Sequence, residues 1–254
     1  MTTTMLQLSQ ALGYEAADKR LDILRRIGAA GSISEAARGA GVSYKAAWQA
    51  IETLGNLAGQ DLVEKSVGGV GGGGARLTAA GQRLLRAADL IAKARSAVLD
   101  RIGEATDDLG VRTLAGLALR TSIRNQLPCA VRSLRQSGAA IRVELALSDG
   151  TPLGSRITVE SAELLGLHAG LPVIALCKAT AVAIADPPPE QSGVNRLSGI
   201  VTRAPESSTD REVSLKLASG LQLVGFASAA AHIQVGQLAT ASVEESAIAI
   251  ALAG

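Results

Sequence analysis

The sequence predicts an α+β chain of several domains. An N-terminal winged helix-turn-helix runs into a long dimerisation helix, and a pair of small β-barrels follows. Three observations lead there. Helical periodicity broken by glycine turns fills the chain up to about residue 110. Alternation of apolar and polar residues replaces it afterwards. The later half also repeats itself: shifting 125–153 by 70 residues gives nine identities in 29 positions without a gap. A chain of 254 residues is long enough for two or three small cores.

Taken in order, Asp18–Ala29 places Leu21, Leu24 and Ile27 on one side at helical spacing. Gly31 and Ser32 end that helix, and Ser34 is the expected N-cap of a short helix over Glu35–Arg38. Gly39-Ala40-Gly41 breaks the chain, and Ser43 caps a third helix that runs through Trp48 and Ile51 to about Leu57. Helix, short helix, glycine turn and helix form a helix-turn-helix pattern. Leu62–Val67 and Ala75–Leu77 read as the strands of a wing around the glycine run Gly68–Gly74. Thr78 caps a long helix to about Gly103, with Leu84, Ala88, Ile91, Val98 and Ile102 as an apolar stripe interrupted by Arg95. A second copy of that helix is the economical partner for the stripe, which gives a two-fold dimer.

Past Gly110, Ile141, Val143, Leu145 and Leu147 alternate with polar or small neighbours, and Asp149-Gly150 signals a turn. The repeat continues at a shift of 66, which aligns Ala183-Ile184-Ala185 with Ala249-Ile250-Ala251. The proline-rich stretch Asp186–Gly193 separates the copies. The expected domains are therefore 1–110, 119–186 and 194–254.

Composition excludes several functions. Four aromatic residues, Tyr14, Tyr44, Trp48 and Phe226, leave no stacking platform for single-stranded nucleic acid. Two cysteines (Cys129, Cys177) and two histidines (His168, His232) cannot build a protein-only zinc cluster, so no directly coordinated metal is expected. They also imply no disulfide framework, and a reducing cytoplasm is the expected location. The N-terminus lacks a signal-peptide pattern, and no segment reads as a membrane span. The glycine run ends without the Gly-Lys-Ser/Thr of a phosphate-binding loop, which argues against an ATPase. No nucleophile elbow occurs and neither histidine sits in a catalytic pattern, so an enzyme is not expected.

Two constellations carry chemistry. Ser43, Tyr44, Lys45, Trp48 and Gln49 open the expected recognition helix, and Arg76 follows the wing tip. Residues 19–101 hold 13 Lys+Arg against 7 Asp+Glu, whereas 114–254 hold 11 of each. Trp48 fits the core as well as a DNA contact. The second constellation is Thr121-Ser122-Ile123-Arg124-Asn125-Gln126, whose hydroxyls and guanidinium seek an acceptor-only oxyanion. Lys178 interrupts the apolar stretch Val173–Ala179, where a cation needs a partner or a function. Taken singly, each of these also reads as a surface residue without a role.

With those residues in view, the chain resembles the molybdate-responsive transcriptional regulators of the ModE type over nearly its whole length. Ser122–Leu127 is similar to the opening of a Mop (TOBE-like) module, the repeat to a di-Mop pair of OB-like barrels, and Ser43–Trp48 to the family's recognition helix. The resemblance implies a homodimer that binds molybdate or tungstate between paired modules and double-stranded operator DNA through its winged domains. It assigns Ser122, Arg124, Lys178 and the Ala179 backbone as anion ligands, with Thr158 and Ser161 supplied by the other subunit. It implies control of molybdate-uptake and molybdenum-enzyme operons. Cys129, where many members carry glycine, and the glycine-rich wing depart from the pattern. In the second module Val194 and Glu244 stand where Arg124 and Lys178 stand in the first, so only the first module is expected to hold a full ligand set. The competing expectation is an oxyanion storage or homeostasis protein that does not bind DNA.

Overall fold

The computed structural model describes residues 18–66, 74–105, 121–185, 192–204, 211–227 and 233–252. Wing residues 67–73, linker residues 186–191, Tyr14 and His232 lie outside the described residues. The chain divides into two compact units, 1–115 with 159–167 and 116–158 with 168–253.

The first unit is helical. Helix α1 (Lys19–Ala30) opens on Asp18, whose carboxylate accepts from the Arg20 N–H, and closes on Gly31 in the left-handed region. Helix α2 (Ile33–Ala40) is capped by Ser32, which accepts from Glu35 N–H. The expected cap Ser34 is therefore an interior residue, and the helix starts two residues earlier than Glu35. Ser32 is the residue with extended backbone at the helix entrance, which is what a side-chain cap requires. Gly41, at φ 65°, makes the turn into α3 (Tyr44–Ala58), capped by Ser43 through the Ala46 N–H. Ile23, Ile27, Ile33, Ala36, Ala37, Ala47, Ala50 and Ile51 form the buried centre of the three helices. Small alanines on α2 and α3 let the helices approach closely.

Strands β1 (Val63–Ser66) and β2 (Gly74–Leu77) pair antiparallel as the wing, with Glu64 opposite Arg76. Thr78 then accepts from Gly81 N–H to cap α4 (Ala79–Ala105). Gly81 lies directly under the Leu62 carbonyl, where a Cβ would collide with backbone. Arg25 on α1 pairs with Asp89 on α4. Farther along, Leu90 and Ile91 are 68% and 69% exposed. Helix α5 (Val159–Leu165) belongs to this unit, and Leu164 packs on the helical core.

The second unit holds two five-stranded sheets. One has the order β12-β6-β3-β4-β5 and the other closes as a barrel, β10-β7-β11-β8-β9. The strands are β3 (Asn125–Ser137), β4 (Ala140–Ala146), β5 (Pro152–Thr158), β6 (Pro172–Cys177), β7 (Ala183–Ala185), β8 (Val194–Arg203), β9 (Glu212–Leu217), β10 (Gln222–Ala227), β11 (Leu238–Glu244) and β12 (Ala249–Ala251). The repeat is structural. The bulge at Val131/Ser133 recurs at Val201/Arg203, and Gly150 and Gly220 make matching turns at φ 86° and 83°.

The sheets do not follow the boundaries 119–186 and 194–254. β7, from the first repeat, pairs with β10 and β11, while β12, from the second, pairs with β6. The repeats have exchanged their last strands. Two buried asparagines join them further. Asn125 bonds both backbone groups of Val224, and its repeat mate Asn195 bonds both of Gly154. Each pair satisfies polar groups that burial would otherwise leave costly.

Candidate functional site

The oxyanion candidates gather where β3 begins and β6 ends. Asn125 pairs with Cys177, so Arg124 and Lys178 stand at the next step of the same antiparallel register. Both are exposed. Lys178 does not interrupt a strand as expected: β6 ends at Cys177, and Lys178 opens a short 3-10 turn over Ala179–Ala181. Leaving the ladder there keeps its ammonium in water, at none of the cost of a buried cation. Ser122 is exposed two residues before Arg124, and Ala179 is buried at the first position of the turn.

Thr158 lies elsewhere. It ends β5 opposite Ala140, which in turn pairs with Ser137 at the far end of β3. From Arg124 to that end is roughly 40 Å of strand. Ser161 is on α5, half-buried in the helical unit. One chain therefore does not bring Thr158 to its own Arg124.

One residue at this end escaped the sequence reading. Glu212, at the start of β9, pairs with the Arg124 guanidinium and also with Arg203, the latter at 3.4 Å. Nothing local marks it, because it lies 88 residues from Arg124. Glu212 offsets one of the charges of Arg124 and Lys178, and Arg203, paired with the same carboxylate, returns it. In the second repeat the matching register pairs Val194 with Glu244, so that end carries a carboxylate and no cation in place of Arg124 and Lys178.

At the other constellation, Ser43, Tyr44, Lys45 and Gln49 are exposed at the start of α3, and Arg76 is exposed on the wing. Trp48 is half-buried and packs on the helical core, with its ring set edge-on to Tyr44 at 6.3 Å. The start of α3 is also occupied. Glu163 Oε2 accepts from the Ser43 N–H and hydroxyl, both at 2.9 Å, and Lys45 Nζ meets Glu160 Oε1 at 2.8 Å. A carboxylate at a helix N-terminus uses the donors and dipole that a phosphate would use.

The thiols are quiet. Burial pushes both Cys129 and Cys177 up to about 11, so both stay protonated at neutral pH. His168 is exposed in the turn around Gly166–Gly170. Among the described residues no group of His, Cys, Asp and Glu could hold a metal ion, and no helix is long and apolar enough to cross a membrane.

Comparison with known proteins places this geometry in context. Residues 19–82 match the bacterial regulatory helix-turn-helix proteins of the lysR family, and residues 121–184 match the TOBE domain. The DNA-binding transcriptional dual regulator ModE of Escherichia coli (strain K12) is 35% identical over 97% of this chain and 96% of its own length. The chain belongs to the ModE family of transcriptional regulators. The molybdenum-pterin-binding protein MopA of Rhodobacter capsulatus is 39% identical over 84% of this chain and 82% of that protein. A crystal structure of the cytoplasmic molybdate-binding protein ModG with molybdate bound covers 53% of this chain and 99% of that one, at TM-score 0.50 and 26% identity. This ModE-family chain thus carries a helix-turn-helix DNA-binding domain and a TOBE region, and its family consists of regulators rather than enzymes. Every residue singled out for DNA falls inside the first match, and every anion candidate falls inside the second.

Proposed function

We propose that this protein is a molybdate-sensing transcriptional regulator that binds operator DNA as a homodimer and controls genes for molybdate uptake and molybdenum enzymes. The observation that carries the reading is the placement of the ligands. Arg124 and Lys178 share one end of the first sheet, while Thr158 sits at the other. A pocket that uses all three closes only when a second copy contributes Thr158 and Ser161. The exposed Leu90 and Ile91 on α4 offer that copy a helix to pair with. A tetrahedral dianion has acceptors only, and charged donors suit it better than they suit a partly protonated phosphate. Tungstate has the same charge and shape and binds the same groups.

A pocket shared between subunits favours the arrangement that closes it. The ligand then shifts DNA affinity by its differential affinity for the two arrangements. With Val194 and Glu244 in the second repeat, the dimer takes two dianions in this pocket class. Arg124→Ala is expected to weaken molybdate binding by roughly 30-fold or more, as loss of a charged hydrogen-bond partner costs about 2 kcal/mol or more. Operator shifts at fixed salt, with and without micromolar molybdate, check it together with titration calorimetry. The variant keeps its dimer and its basal DNA binding but loses the response. Unchanged molybdate affinity removes Arg124 from the site. The name MopA favours a second reading, an oxyanion-binding protein without an operator, and absence of any salt-dependent shift with promoter DNA would establish that one.

A further inference from the structure

At the Thr158 end, the first sheet carries a ladder of three arginines. Arg135 on β3 pairs directly with Arg142 on β4, and Arg142 with Arg156 on β5. Residues directly opposite in neighbouring strands project from the same face. Three guanidinium groups therefore stand side by side about 5 Å apart at their Cα atoms. Like charges in this arrangement are unfavourable unless something negative lies among them.

Arg142 has its counter-charge. Its Nε and Nη2 reach Glu245 Oε1 at 2.8 and 2.7 Å. Arg135 and Arg156 have no ion pair among the described residues and are exposed. All three arginines line one cavity of about 220 Å³, with Ser137 and Gln136 at its edge. That volume is below the roughly 300 Å³ at which sites for organic ligands begin. A small, acceptor-rich anion fits it, and two unpaired guanidinium forks match a doubly negative one.

We propose that the Arg135–Arg142–Arg156 ladder is a second oxyanion site, one per chain, which takes a free tetrahedral dianion such as molybdate or sulfate. Within one chain it lies at the far end of β3 from Arg124 and Lys178, beside Thr158. It binds more weakly, because its cations are exposed and nothing in the sheet closes over them. The sequence did not mark it: the three arginines are scattered over 22 positions and meet only through strand register.

Titration calorimetry of the full chain with molybdate, then with sulfate, tests it. Two inequivalent classes of site are expected. Arg135→Ala/Arg156→Ala is expected to abolish the weaker class and leave the tight one, whereas Arg124→Ala does the reverse. The two assignments can therefore fail independently. A thermal melt unchanged or raised in the double variant shows that the fold survives relief of the repulsion. Arg135→Lys/Arg156→Lys, which keeps the charge without the fork, should retain intermediate affinity and serves if the alanine variant misfolds. A single class in the parent protein that Arg124→Ala abolishes and the double variant keeps overturns the proposal. So does a double variant that keeps both classes, weakens the tight class, or changes only the salt dependence of DNA binding.

Discussion

At the scale of single residues, the Arg124 end is defined as much by Glu212 as by its cations. The carboxylate holds the Arg124 guanidinium, and it shares itself with Arg203. An incoming oxyanion must compete with it and bear its repulsion. Arg124 is 51% exposed and Glu212 17%, so the pair is screened, and its loss is worth about 1 kcal/mol at most. Glu212→Gln is expected to tighten molybdate binding by about two- to fivefold, which calorimetry reads directly. Weaker binding would mean that Glu212 chiefly orients the guanidinium. Arg124 was legible in the sequence because its neighbours Ser122 and Asn125 form a compact motif. Glu212 was not, because no local pattern tells which of eleven acidic residues in 114–254 reaches it.

At the scale of elements, the caps were largely readable. Ser43 and Thr78 each cap the helix that the sequence assigned to them, since a hydroxyl before a helical stripe has few other uses. Ser34 misled because two serines flank Ile33 and both fit the pattern. The helix starts at Ile33, which is buried in the helical core, and that leaves Ser32 as the cap. The contact of α5 with α3 was invisible, as it joins residues 120 positions apart. Its consequence is functional. Glu163 and Glu160 sit on the donors of Ser43 and Lys45 that a DNA backbone would use. Surface contacts of this kind contribute about 0.2–1 kcal/mol each. Glu160→Gln/Glu163→Gln is therefore expected to raise operator affinity by about two- to tenfold at low salt, with a smaller gain at high salt. A quantitative gel shift at two ionic strengths checks it. No change at either would show that α5 leaves this face before DNA arrives.

At the scale of the whole molecule, the repeat foretold two similar modules but not their exchange of strands. The reason is plain in the residues. Ala183-Ile184-Ala185 and Ala249-Ile250-Ala251 are the same tripeptide, so either strand fits either sheet and no local preference chooses. The choice is made by which chain end can reach which edge, and by Asn125 and Asn195 holding one repeat against the other. Register links the far terminus to the candidate pocket: β12 pairs with β6 through Ala249 and Leu176, and β6 leads straight to Lys178. Deleting 249–254 removes no proposed ligand. It is nonetheless expected to lower the melting temperature and weaken molybdate binding several-fold, read by calorimetry, because the outer edge of β6 loses its pairing. Losing one short edge strand would thus dull the anion response while sparing the helix-turn-helix, whose fold draws nothing from it.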